Sequence, residues 1–517
     1  MPRPLHLAAA SAALALSLAV AGAASASPEL RVDGRHFKDA SGRVVLLRGV
    51  NVAGDSKVPP FTAASDPAIF DPLAAWGMNA IRLLFNWEAY ETSPGVYDQA
   101  YLDYYVSAAK EAWKRGIYVI ADVHQDAYSR WSLDGCGEGF PKWSLPKDVT
   151  PATPDNGPSC ADWGTRAASD MDMQKAFTDF YADTYGVRTR YLAMLKSLAA
   201  ALESNAGVIG YDMLNEPWGD EATEVAKLHE DGAASIRSVS PTAILFLSPV
   251  ALTSAGLPTK LPAPTFTNAV YSPHFYLGSV NIFRSWSGDK PDDAFAQMDA
   301  KAASWTAPLL VGEFGASSGT KRGLAYVDAI YDELDRVLAS GTQWVYSPHW
   351  SATAKDGWNT EDFSIVDGTG AIRDNFHARP YAQKIAGTPT LLKVTHPLDP
   401  AQSTVELDWT NDPGAGGGVT EMFVPAKDLF GSAAASTEAT GASCTLDGTK
   451  LTCTSSVAGP AKVIVRAATV APAAASAKGC TIAADAGARP GGFALVAAAA
   501  LASIASVARA AGRRRRA

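Results

Sequence analysis

The sequence has no basic excess. Lys and Arg number 44 against 53 Asp and Glu, a formal net charge of −9, and a surface of that sign repels a phosphate backbone, so nucleic acid is excluded as a partner. The basic residues that do cluster, Arg513 to Arg516, stand at the extreme C-terminus. Cysteine is scarce as well. Cys136 and Cys160 bracket one Gly- and Pro-rich stretch, Cys444 and Cys453 bracket another, and Cys480 is left over. Neither spacing is that of a zinc site and neither pair has a neighbouring histidine, so no metal is expected. In an oxidising compartment each pair would close a local loop as a disulfide. A Gly-rich phosphate turn after the first predicted strand is missing too, which counts against a doubly wound nucleotide-binding sheet.

What is present is an ordinary globular composition, 47% hydrophobic and 19% charged, with apolar material for a large core and a second domain. Both ends lie outside it. At the front, Arg3 precedes an apolar run over residues 7–21, and Ala24-Ser25-Ala26 gives the small-x-small pattern of a signal-peptide cleavage site, so residues 1–26 are read as an export signal. At the back, residues 467–479 form an Ala/Pro/Ser linker and residues 480–517 a tail. Cys480 opens that tail, Pro490-Gly491-Gly492 leads into an apolar run over residues 493–508, and Arg509 with Arg513 to Arg516 closes it. The tail resembles bacterial tripartite sorting tails, in which a short motif precedes a hydrophobic span and a basic end. Cleavage at such a motif would deliver the protein to the cell surface and give the unpaired Cys480 a purpose. A permanent anchor explains the span and the arginines but not Cys480. Either way a secreted or cell-surface protein is expected, with the membrane surface as a partner.

Between the ends, short β-rich runs alternate with helical patterns. Strands are predicted at residues 44–50, 80–85, 118–123, 208–214, 244–247, 270–274, 309–313 and 343–346, with helices such as 99–115, 221–239 and 323–339 between them. Eight such units imply an α/β fold, a (β/α)8 barrel over residues 27–388. Residues 389–466 change texture. Short β-prone segments at 403–409, 419–424, 444–446, 450–453 and 461–466, with Asp447-Gly448 as a hairpin turn, read as a small β-sandwich. Its aromatics are few, which favours bracing of the barrel over carbohydrate binding. A long loop after the third strand, residues 128–170, contains Cys136 and Cys160 and is rich in Gly, Pro, Ser and Asp. A disulfide across it favours a structured cover over an active site rather than a disordered insertion.

In such a barrel the functional groups come from the C-terminal strand ends. Those ends carry Asn51, Arg82, His124-Gln125-Asp126, Asn215-Glu216, His274 with Tyr276, Glu313, and Trp344 with Tyr346. One polar strand end is commonly a cap; nearly every end carrying polar or aromatic groups is not. Glu216 and Glu313 form a pair suited to glycosidic cleavage, in which one carboxylic acid protonates the leaving oxygen and, in the retaining version, a second carboxylate attacks the anomeric carbon. Arg82 beside Glu313 would hold its pKa down and keep it ionised, whereas Glu216 needs a raised pKa to begin as an acid. Tyr276 would position Glu313, His274 would support the pair, and Trp344 offers a flat face to a pyranose ring.

These strand ends resemble glycoside hydrolase family 5, and more narrowly its endoglycoceramidase-like members. The general pattern is carried by Arg82, Asn215-Glu216-Pro217, His274-x-Tyr276, Glu313 and Trp344. The narrower one rests on Asp122-Val-His-Gln-Asp-Ala-Tyr-Ser129, Lys57 after Arg48-Gly-Val-Asn51, Tyr271-Ser-Pro-His-Phe-Tyr276 and Gly357-Trp-Asn-Thr-Glu-Asp-Phe-Ser-Ile365. The resemblance implies Glu313 as nucleophile, Glu216 as acid/base, and a sugar held by Lys57, His124, Asp126, Asn215, Tyr276 and Trp344, with Trp163 as a further sugar contact. It implies a glycolipid or oligosaccharide substrate, cut between a glycan and a lipid aglycone such as ceramide, with no cofactor. A lipid would need an apolar surface near the sugar pocket, expected from the third loop and residues 58–70, with Pro59, Pro60, Phe61 and Phe70, unless these pack into the core. The alternatives are an endo-β-1,4-glucanase or mannanase of the same superfamily, or a non-catalytic glycan-binding surface protein. The last predicts loss of a glutamate or of Arg82, and all three are present.

Overall fold

The computed structural model describes residues 29–396, 399–431 and 434–468. The expected export signal and the expected sorting tail with Cys480 lie outside the described residues. Eight parallel strands form the barrel: β1 Arg48–Val52, β2 Ala80–Asn86, β3 Tyr118–His124, β4 Val208–Asp212, β5 Ile244–Leu247, β6 Ala269–Tyr271, β7 Leu310–Val311 and β8 Ser340–Tyr346. They lie in the order β6-β5-β4-β3-β2-β1-β8-β7. Closure between β6 and β7 comes from a Tyr271–Leu309 bridge and, beyond Pro273, from a parallel pair that sets His274 opposite Glu313. The strands are near-continuous apolar runs because helices cover their outer faces and side chains fill the interior.

Several expected boundaries move. Residues 44–50 are not one strand: Val44–Val45 pairs antiparallel in another sheet, and the barrel strand starts at Arg48. The helix expected from residue 221 opens with a wide turn at Glu221–Val225 before Ala226–Arg237. The second domain begins before residue 389, since Tyr381–Ile385 already pairs with Val44–Val45 on one side and with Val419–Phe423 on the other. Two further strands went unread, Gly387–Thr395 and Ala435–Thr440, and the last, Gly459–Ala467, runs into the expected linker.

The domain is two antiparallel sheets, and one of them is completed by the N-terminal strands Leu30–Asp33, His36–Asp39 and Val44–Val45. That N-terminal hairpin also seals the barrel floor. Leu30 and Phe37 are buried against Ile120, Ile209, Ile244 and Leu310, and Phe37 stacks on Phe246 at 6.2 Å. With the floor filled by hydrocarbon, polar chemistry is confined to the opposite end of the barrel.

Candidate active site

At that end Arg82 is fully buried and every guanidinium nitrogen is used. Nη1 donates to Glu313 Oε1 at 2.7 Å and to Asn51 Oδ1 at 3.0 Å, Nη2 to Asp122 Oδ1 at 2.8 Å and Asn215 Oδ1 at 2.7 Å, and Nε to Asp212 Oδ2 at 3.1 Å. Burial opposes the charge, but the Asp122, Asp212 and Glu313 carboxylates outweigh it and hold the pKa above its ordinary value. A buried cation of this kind fixes geometry, because the planar fork accepts few arrangements of its partners.

Asn215 spends its oxygen on Arg82 and donates Nδ2 to the Gln125 carbonyl at 3.0 Å. Gln125 in turn donates to the carbonyls of Asn215 and Glu216, at 2.7 and 3.0 Å. Those two bonds brace the one-residue bend at Glu216, whose φ of 39° lies in the left-handed region that a non-glycine residue enters only when its surroundings hold it there. Gln125 was readable as a strand-end residue, but its role in holding the Glu216 backbone was not.

His274 bridges the two glutamates. Its Nδ1 lies 2.9 Å from Glu216 Oε1 and 3.5 Å from Glu313 Oε2, and an oxygen of each carboxyl falls within 4.8 Å of the other. Tyr276 Oη donates to Glu313 Oε2 at 3.0 Å. The glycine before Glu313 has a steric cause: a side chain on Gly312 would meet His274 Nε2 at 2.9 Å. Burial holds the His274 pKa below its ordinary value, which favours a neutral ring. Burial, helped by Asp126, pushes Glu216 up to about 8. Burial raises Glu313 as well and outweighs His274 and Arg82, so the expectation that a cation alone would depress this carboxyl is corrected. What separates the two glutamates is that Glu313 accepts hydrogen bonds from Arg82 and Tyr276, both of which favour its anion, while Glu216 has only the neutral-ring contact to His274.

A second cluster lies alongside. Lys57 Nζ reaches Asp126 Oδ2 at 2.6 Å and sits 4.4 and 4.1 Å from the ring centroids of Trp344 and Trp358. His124 stacks on Trp344 at 5.4 Å and 7°, with Nδ1 2.6 Å from Asp122 Oδ2. Burial works against the His124 charge, yet Asp122 and Asp126 raise it to about 10. Burial works against the Asp126 anion, but Lys57 and His124 bring it down to about 2. His124, Asp126 and Glu138 could in principle surround a metal ion. The Lys57 ammonium already supplies the counter-charge there, and Asn86 donates to Glu138 at 2.9 Å, so the donor set fits a sugar better than a cation.

Glu216, Glu313, Lys57, Gln125, Asp126, Tyr276, Trp344 and Trp163 line one pocket of ≈340 Å³. Trp163 enters it through the third loop, donating to Glu361 Oε1 at 3.2 Å and packing on Trp358. Cys136–Cys160 ties that loop down and Cys444–Cys453 joins two strands of the sandwich. Tyr346 does not join the site; it is buried edge-on against Trp76. Glu361, Phe363 and Trp218 also line the pocket and Trp358 packs on Lys57, none of them with a role expected from the sequence. Glu361, Phe363 and Trp358 fall in the Gly357-to-Ile365 motif, so a signal existed for them; Trp218, directly after Pro217, had none. Neither Phe61 nor Phe70 offers an apolar surface, since both are buried. The exposed apolar residues at the pocket come instead from Leu252 and Ile282, with Phe283 next to it, at 54, 71 and 73% exposure.

A parallel barrel closed at one end by hydrocarbon and carrying two hydrogen-bonded glutamates at the other is the architecture of a carboxylate-based hydrolase. The family model described as Cellulase (glycosyl hydrolase family 5) matches residues 38–356, and that of the glycoside hydrolase family 5 C-terminal domain matches residues 379–464. The chain belongs to glycoside hydrolase family 5. It is 28% identical over 339 residues to endoglycoceramidase I of Rhodococcus hoagii, a match covering 58% of this chain and 65% of that relative. A shorter stretch of 141 residues is 37% identical to a glucosylceramidase of Aspergillus fumigatus, covering 22% of this chain and 18% of that protein. In fold it is similar to endo-glycoceramidase II from Rhodococcus sp., with a TM-score of 0.68 at 23% identity over 84% of this chain and 99% of that one.

Proposed function

We propose that this chain is an exported retaining glycosidase that hydrolyses the bond between a glycan and a lipid aglycone. Glu313, ionised and held by Arg82 and Tyr276, attacks the anomeric carbon. Glu216, protonated at neutral pH, gives its proton to the leaving oxygen, and the released lipid alcohol departs. Glu216, now a carboxylate, takes a proton from water as that water attacks the glycosyl–Glu313 ester, releasing the sugar and regenerating both groups. Lys57, His124, Asp126 and Asn215 hold the sugar hydroxyls, with Trp344 and Trp163 as apolar walls.

The observation that carries this reading is that an oxygen of each carboxyl falls within 4.8 Å of the other, in keeping with the shorter carboxyl separation of retaining enzymes. The lipid part rests on Leu252, Ile282 and Phe283, exposed at and beside the pocket mouth, and on relatives whose names are those of ceramide-glycan hydrolases. A turnover panel of gangliosides, glucosylceramide, sterol glucosides and soluble cello-oligosaccharides tests it. Glycolipids should be cut fastest. Cello-oligosaccharides turned over faster than every glycolipid would establish the endoglucanase instead.

A further inference from the structure

The third loop parts two hollows at the catalytic end of the barrel. Its Gly137-Glu138-Gly139 stretch is the partition. On one side Glu138 Oε1 lies 3.9 Å from His124 Nε2; on the other the Gly139 carbonyl accepts from Glu88 N at 2.9 Å. A side chain on Gly139 would meet Gln125 at 2.5 Å, so the partition is thin and closely packed. The second hollow, of ≈400 Å³, is lined among others by Phe61, Glu88, Thr92, Asp98, Trp131 and Lys142. That size is ordinary for a small-molecule site, and no step of the hydrolysis uses it.

Glu88, just past the end of β2, is the group that asks for a ligand. It is 8% exposed, and Arg130 Nε donates to its Oε1 at 2.7 Å. Its Oε2 is buried with no hydrogen-bond partner among the described residues, a costly state for a carboxyl. Burial outweighs Arg130 and pushes this carboxyl up to about 7, so near neutrality it can donate or accept a proton. Arg130 also lies 4.4 Å over the half-buried Trp131 ring, and Lys142 Nζ stands 5.7 Å from the same ring. The charges define the ligand. Glu88 and Asp98 are matched by Arg130 and Lys142, which favours neither an anion nor a cation. A purely apolar ligand would leave Glu88 Oε2 unpaired, whereas a neutral ring with hydroxyl edges and one apolar face suits both carboxyl and indole. We propose that this hollow is a second saccharide site, holding a pyranose by its hydroxyls at Glu88 and Lys142 and by its apolar face at Trp131. An outer sugar of the substrate's own glycan and a separate polysaccharide offer that same chemistry. The site goes beyond the hydrolytic reaction and is independent of the lipid aglycone.

The test is a calorimetric titration of Glu313→Gln, which lacks the nucleophile, with cellotetraose and sialyllactose. It is repeated with Thr92→Trp or Trp131→Ala added. Thr92 is exposed at the hollow, so Thr92→Trp fills it without entering the core. A separate glycan predicts two equivalents of sugar per protein, one of them lost in both added variants. An outer sugar of the substrate's own glycan predicts one equivalent, bound about tenfold more weakly in both. In that case Thr92→Trp in the otherwise wild-type protein should raise KM for the matching aryl oligosaccharide by the same factor. Its kcat, and turnover of a simple aryl glucoside, should not change. Affinity that falls in only one of the two variants, or in neither, overturns the proposal, as does an absence of binding. None of these probes carries a lipid, so the glycolipid reading stands or falls separately.

Discussion

Arg82 shows how one residue sets the chemistry of its neighbours. It pairs with the buried Asp122, Asp212 and Glu313 at once, so replacing it would leave Asp212 and Glu313 without the cation that holds them. Glu216 is beyond its direct reach. Glu313 is buried and Glu216 half-buried, yet only Glu313 takes hydrogen bonds from a cation and a phenol, and this difference assigns the acid and the anion. The pH dependence has a definite sign. The first step needs protonated Glu216, raised to about 8, so kcat/KM should fall as pH climbs through about 8. It also needs ionised Glu313, whose pKa burial raises, so the acid limb should lie above the ordinary glutamate range. Glu216→Ala assayed with an activated aryl leaving group should lose the alkaline limb and keep the acid one. An alkaline limb persisting in that variant would show that another group titrates there.

At the scale of elements, the site is assembled by strand ends and one tethered loop. Most of the strand ends were legible in the sequence because a polar residue closing an apolar run stands out. The Asn215-Glu216-Pro217 and Gly312-Glu313 pairs are the clearest cases. Less legible were features whose partner is distant in the chain. The N-terminal hairpin belongs to a sheet completed by Tyr381–Ile385, and no local pattern joins segments so far apart. Nor could hydropathy place the apolar rim: Ile282 and Phe283 sit in a six-residue helix where nothing local distinguishes an exposed face from a buried one. Phe61 and Phe70, equally apolar, pack inward. The third loop carries Trp163 and Glu138 to the site and is closed by Cys136–Cys160 across a separation of 24 residues. Removing that bridge with paired serines should cost about 3 kcal/mol in chemical unfolding, through the freedom returned to the unfolded loop. Unfolding midpoints identical with and without the bridge would mean that the loop is held by packing alone.

On the scale of the molecule, barrel and sandwich brace each other. Tyr381 Oη and Gln383 Nε2 both donate to the Gly77 carbonyl, at 2.7 and 2.9 Å, and a side chain on Gly77 would meet the Phe423 ring at 2.3 Å. The sandwich strands Gly387–Thr395 and Thr404–Asn411 alternate inward and outward residues, as a two-layer domain requires. Among the described residues no helix is long and apolar enough to cross a membrane. We propose that the protein is attached to the cell surface through the tail that begins at Cys480. Processing there should yield a native cell-associated protein whose intact mass excludes Arg513 to Arg516. A species that retains those arginines would mean an uncleaved anchor.

In the proposed retaining reaction Glu313 becomes covalently bonded to the sugar. A 2-deoxy-2-fluoro glycoside with an activated leaving group slows the second step more than the first, so the intermediate accumulates. Peptide mass spectrometry of the protein treated in this way should find one fluorosugar on the peptide containing Glu313 and none on that containing Glu216. An unlabelled Glu313 peptide, with turnover of the parent substrate giving product of inverted configuration, would contradict the account.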